Sequence, residues 1–127
     1  MPAITDINEL LTHMQPILNP GRYAFVALLF GIALDLIHIV AYVWEPAGLS
    51  VILLEQIALD LGLPVAFPAA WITLTIHPDL AAVGPTAAFS QALGQAGISC
   101  NVVGVHHDHL LLPAELAQQA MGAWHAL

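Results

Sequence analysis

Residues 72–113 read ITLTIHPDLAAVGPTAAFSQALGQAGISCNVVGVHHDHLLLP, and this run decides the fold. Its apolar period changes along its length. Trp71 to Ile76 is β-branched and weakly alternating, which suits a strand, and Pro78 ends it. Gly84 and Pro85 open a helix with proline at its first position. Ala88, Phe89, Ala92, Leu93 and Ala96 then recur at helical spacing, and Gly97 supplies a C-terminal cap. Ile98 to Val105 reads as a second strand, the His-His-Asp-His stretch as a turn, and Leu110 to Leu112 as a third strand. Pro113 to Ala126 continues as a helix. The order β-α-β-β-α fits a split β-α-β unit of the ferredoxin-like kind, with helices on one face of an antiparallel sheet.

Working outward, Pro64-Val65-Ala66-Phe67-Pro68 reads as a joint between two halves. Before it, Val51-Ile52-Leu53-Leu54-Glu55-Gln56-Ile57-Ala58 resembles Leu110 to Ala117 at an offset of 59 residues. Both are apolar strands running straight into a helix that carries an acid in its first turn. The chain is therefore expected to be two copies of one small α/β unit, residues 1–67 and 68–127. In the first half, Thr5 or Asp6 caps a helix with Ile7, Leu10, Leu11 and Met14 on its apolar face. Arg22 to Phe30 is a strand, Gly31 to Leu36 a loop, and Ile37 to Trp44 a strand. Leu49 to Leu53 is another strand, and Leu54 to Leu61 a short helix.

Tyr23 to Trp44 carries 19 apolar residues in 22, enough to resemble a membrane span. Asp35 and His38 in its middle, the missing basic cluster at either end and the β-branched and aromatic content favour two buried strands instead. Nine acids stand against one base, Arg22, for a formal net charge of −8. That balance excludes a phosphate-backbone partner and an anionic membrane surface. Hydrophobic residues make up 59% of the chain, more than one small core needs, so a homodimer is expected to bury the excess. Cys100 is the sole cysteine, so no intrachain disulfide forms. The start, MPAITDINELL, has no signal-peptide pattern, and a cytoplasmic protein is expected.

The runs Ile72-Thr73-Leu74-Thr75-Ile76-His77, Ala82-Val83-Gly84, Ala96-Gly97-Ile98-Ser99, Asn101-Val102-Val103 and His107-Asp108-His109 before Leu112-Pro113 closely resemble the C-terminal half of the bacterial tandem ACT-domain proteins. Leu10-Leu11, Tyr23-Ala24-Phe25 and Gly48 to Leu53 resemble their N-terminal half more loosely. The resemblance implies an α+β fold of two ferredoxin-like ACT units and a regulatory, amino-acid-binding role. This chain departs from the family pattern at Pro78-Asp79, where a serine pair is usual, and at Pro85, where leucine is usual. Val105-His106 replaces aromatics, and an arginine usual near Glu45 is absent.

In a split β-α-β sheet the first and third strands are antiparallel neighbours. That topology brings the end of the Trp71–His77 strand, the loop to Pro85, the first helical turn and the start of the Asp108–Leu112 strand to one edge. The expected ligand-binding set is His77, Asp79, Val83, Gly84, Thr86, Asn101, His107, Asp108 and His109. Backbone N–H groups from Gly84 to Thr86 suit a carboxylate, less the donor that Pro85 lacks. Asp79 or Asp108 suits an α-ammonium. The competing readings are a metal site of His77, His107 and His109, for which no C-x-x-C or H-E-x-x-H pattern speaks, a purely structural dimerisation module, and a turn merely ordered by Asp108 with His109 bonded to backbone. Ser99 and Cys100 fall on opposite faces of a strand with no orienting third group, so no catalytic residue is assigned. No cofactor is expected.

Overall fold

The computed structural model describes residues 15–28, 33–75, 83–104 and 107–127, and only the backbone of 83–85. The helix expected from Thr5 onward lies outside these residues. The elements in order are β1 (Pro16–Leu18), β2 (Tyr23–Leu28), a 3-10 turn (Leu36–His38), β3 (Ile39–Glu45), β4 (Gly48–Leu54), α1 (Glu55–Asp60) and β5 (Val65–Leu74). They continue with α2 (Val83–Gln95), β6 (Asn101–Gly104), β7 (Asp108–Pro113), a second 3-10 turn (Ala114–Leu116) and α3 (Ala117–His125).

The seven strands among the described residues join one antiparallel sheet, ordered β3-β4-β2-β5-β7-β6, with β1 also paired to β5. The sheet runs unbroken across the boundary expected at residue 67, and β5 is the reason. Pro64–Pro68 is not a loop: the strand starts at Val65 and runs ten residues. Its first half pairs with β2, as at Phe67 with Phe25 and Ala69 with Tyr23. Its second half pairs with β1 on that flank, as at Ile72 with Leu18. On its other flank β5 pairs with β7 from Ala69–Pro113 to Leu74–Asp108. Pro68 is tolerated in this central strand beside the irregular register with β2, which shifts between Phe25 and Val26.

Strand alternation sorts the side chains onto two faces. Ala70, Ile72, Leu74, Leu110 and Leu112 are buried against Phe89 and Leu93 of α2 and Ala120 and Trp124 of α3. The Phe89 and Trp124 rings meet edge-on at 5.1 Å and lock the two helices together. On the same face Ala24, Val26, Val51 and Leu53 pack with Ala58 of α1. The opposite face holds Tyr23, Ile52, Ala69 and Leu111, backed by Phe25, Phe67 and Trp71. So the described helices share one face, as expected, and the other face carries an aromatic row. The sheet curls around that row: Val40 and Ala41 of β3 and Val103 of β6, from opposite ends of the strand order, border one hollow with Trp71 and Leu111.

Several local expectations shift by a few residues. Ile37 and His38, expected as strand, join Leu36 in a 3-10 turn, because Asp35 accepts a hydrogen bond from Ile37 N–H at 3.2 Å and caps the turn. Asp35 and His38 are exposed; the described parts of the apolar run are β2, the 3-10 turn and β3, and β3 is half-buried to exposed rather than the buried strand expected, because it lies at the sheet's edge. No helix among the described residues is long and apolar enough to cross a membrane. Pro85 is the third residue of α2, still within the first turn where no N–H partner is lost. The strand expected from Ile98 starts at Asn101. After β7 the chain makes a 3-10 turn before α3 instead of entering an α-helix directly.

The two strand-to-helix junctions of the repeated segment do match. Leu54 has φ −57° and ψ 132°, and Pro113 has φ −54° and ψ 132°. The C-terminal ends of α1 and α2 match as well. Gly62 (φ 67°) and Gly97 (φ 75°) take the left-handed conformation, and the next residues, Leu63 and Ile98, return their N–H to Ala58 and Leu93 at 2.8 Å each.

Candidate functional site

The antiparallel register of β5 and β7 sets Leu74 opposite Asp108 and Thr73 opposite His109. From there alternation sends the two neighbours apart. Asp108 leaves toward the helix face, where the Thr86 hydroxyl in the first turn of α2 donates to its carboxylate. Gly104, opposite Asp108 on β6, leaves room for this: a Cβ there would lie 3.1 Å from Asp108 Oδ1. The start of a helix, the start of a strand and a carboxylate therefore meet at one edge, as the topology requires. Val83 and Gly84 belong to that same helical turn by their backbone. His107 stands half-buried immediately before β7. His77 and Asp79, the remaining members expected there, lie outside the described residues.

His109 does something else. Its ring lies 5.8 Å from the Trp71 ring, and Trp71 Nε1–H donates to His109 Nδ1 at 3.1 Å. Thr73 Oγ1 is 3.4 Å from the same nitrogen, and Asn19 Nδ2 donates to Thr73 Oγ1 at 2.9 Å and to the Trp71 carbonyl at 3.2 Å. An Nδ1 that accepts from indole carries no proton, so the imidazole is neutral with its proton on Nε2. Burial holds its pKa below the ordinary 6.5, and His107 adds to this while Asp108 partly opposes it. The partner of His109 is thus an indole on the neighbouring strand, not the backbone group expected from the sequence. For the metal reading, His109 in this state offers no free nitrogen, because Nδ1 accepts from Trp71 and Nε2 carries the proton. Among the described residues no three potential ligands come together.

Asn101 is not part of the Asp108 edge. It sits opposite Leu111, three rungs from the Gly104–Asp108 pair. It borders instead a hollow of about 400 Å³ on the aromatic face, with Phe25, Ile52, Val103 and Leu111 beneath and Glu45 and Ser50 across from it. The Ser50 hydroxyl donates to Glu45, on the strand beside it. Sequence reasoning did not find this hollow, because strands β3 and β6 approach only through the curl of the sheet. Cys100 is half-buried against the α2–α3 core. Burial raises its thiol pKa, with a Ser90 hydrogen bond opposing, which is the reverse of nucleophile activation.

One antiparallel sheet with the described helices on one face defines an α+β fold. The ACT domain model matches residues 2–70, more than half of the chain, and the chain belongs to that family of regulatory, non-catalytic modules. The match covers the half whose resemblance was the looser one on sequence. A Vibrio cholerae protein of unknown function, described as a possible transport protein, is 40% identical with a TM-score of 0.79, over 92% of this chain and 91% of that one. An Agrobacterium tumefaciens protein shares the fold at 17% identity and a TM-score of 0.73, over 89% of this chain and 87% of that one. The regulatory subunit of aspartate kinase from Thermus flavus shares it at 13% identity and a TM-score of 0.52, over 89% and 95%. No curated protein matches the sequence.

Proposed function

We propose that this chain is a non-catalytic regulatory module that binds an amino acid at the edge between the start of α2 and the start of β7. The carrying observation is the Thr86–Asp108 hydrogen bond, which ties a helical first turn to a strand-borne carboxylate. The backbone of Val83, Gly84 and Thr86 would receive the ligand carboxylate, and Asp108, aided by Asp79, the ammonium. His77 and His107 would border the site. With one arginine in the chain, and that one 3.2 Å from Glu55, a second ligand carboxylate would find no counter-charge. Small neutral or polar amino acids are therefore preferred.

A thermal-shift screen with the twenty amino acids tests this. A ligand at a hundred times its dissociation constant adds about 2.7 kcal/mol of stability. Asp108→Asn should weaken the best hit about tenfold or more, as expected for a lost charge-assisted hydrogen bond. Affinity unchanged in both Asp79→Asn and Asp108→Asn would remove the site from this edge.

The same reading takes residues 1–67 and 68–127 as two ferredoxin-like units that share β5. In the first, β2, β3, β4 and β5 act as strands one to four. In the second, β5, β6 and β7 act as one to three, and β1, which lies within residues 1–67, crosses over to supply the fourth. Both then have the spatial order 4-1-3-2, which the matching strand-to-helix junctions support. We further read the protein as a cytoplasmic homodimer that needs no cofactor. The exposed edge of β3, with Tyr42, Val43 and Trp44, is the surface that favours pairing.

A further inference from the structure

We propose that the hollow on the aromatic face of the sheet is a second ligand site, separate from the Asp108 edge, and that it takes small apolar amines. Its volume of about 400 Å³ falls within the range of small-molecule sites. Its floor is hydrocarbon and aromatic: Phe25 lies opposite Ile52 on β4, and Leu111 opposite Asn101 on β6. A ligand body without polar groups is what such a floor desolvates favourably.

The rim fixes the other end of the ligand. Glu45 is the one charged residue among the described residues that border the hollow, and the Ser50 hydroxyl bonded to it holds the carboxylate in place. Asn101 adds a neutral amide on the opposite rim. Among the described residues no basic group borders the hollow. Arg22 lies beyond the other end of β2 and is paired with Glu55. An anionic ligand would face Glu45 and a chain of net charge −8 with nothing to offset either. A protonated amine finds a carboxylate at the rim and an aromatic ring, Phe25, in the floor, both of which attract a cation. The walls come from β3 and β6, at opposite ends of the strand order, so the site exists only while the sheet stays curled.

The probe is 2-phenylethylamine, titrated calorimetrically into the full chain at low salt, with 3-phenylpropionate as a ligand of similar body and opposite charge. Saturable binding of the amine is expected, at least about tenfold tighter than the propionate, with a similar loss in Glu45→Gln. Val103→Phe, which fills the hollow with a larger apolar side chain, should abolish binding while the unfolding midpoint stays within a few degrees of the parent. Asp108→Asn should leave amine binding unchanged, so this result and the amino-acid screen succeed or fail separately. Equal binding of the two probes, amine binding retained in Glu45→Gln, or no binding at all would each overturn the proposal.

Discussion

His109 is the residue where one proton decides a tertiary contact. Its Nδ1 accepts from Trp71 only while the ring is neutral, and burial lowers its pKa below the unfolded value near 6.5. The unfolded chain therefore binds the proton more readily than the native one, and stability rises with pH across that interval. The contribution is complete above the unfolded pKa. It is lost as pH falls from about 6.5 toward the lower native value. Urea unfolding of the parent and of His109→Gln should diverge in slope against pH in that window, with the variant flatter. An NMR titration of the ring with a midpoint at or above 6.5 would contradict the assignment. At the sequence level this role was invisible: three histidines in four positions look alike, and only strand alternation sends Asp108 to Thr86 and His109 to Trp71.

At the scale of elements, the helix ends were legible in the sequence and the strand starts were not. Glycine ends α1 and α2 because the chain must turn left-handed to return an N–H to the last turn, and that demand is local. Gly97 has open space where a Cβ would stand, so Gly97→Ala costs only the backbone penalty of a left-handed alanine. A loss of about 1–2 kcal/mol is expected by chemical denaturation. A change below a few tenths would mean the cap relaxes at little cost. The start of β5 depends on distant partners instead. Val65 to Pro68, with two prolines nearby, reads as a linker, yet it becomes strand because β2 offers it a ladder on one side. Turn propensity is a weak prior against a row of tertiary hydrogen bonds.

At the scale of the whole molecule, one long strand joins what looked like two units into a single sheet. That sheet ends at β3 and β6, and β3 carries Trp44 at 71% exposure beside Val43 and Tyr42. An edge strand of this kind, apolar along its length and charged only at Glu45, invites a second copy. Sedimentation at micromolar concentration should give twice 13.5 kDa, and Trp44→Glu should shift the protein toward the monomer. A parent chain that sediments at 13.5 kDa would exclude the dimer.

The sequence by itself determined the antiparallel α+β class, the described helices on one face, the strands at the two ends of Tyr23 to Trp44 and the meeting of Thr86 with Asp108. Each follows from apolar period, capping chemistry or the fixed handedness and adjacency of a split β-α-β unit, which are local or topological rules. Tertiary structure alone decided that β5 serves both halves, that His109 pairs with an indole, that Asn101 leaves the Asp108 edge, and that a hollow forms between β3 and β6. Those features depend on register and on the curl of the sheet. Register is set by every paired residue at once, and curl accumulates from strand to strand, so neither is written in any short stretch of the chain.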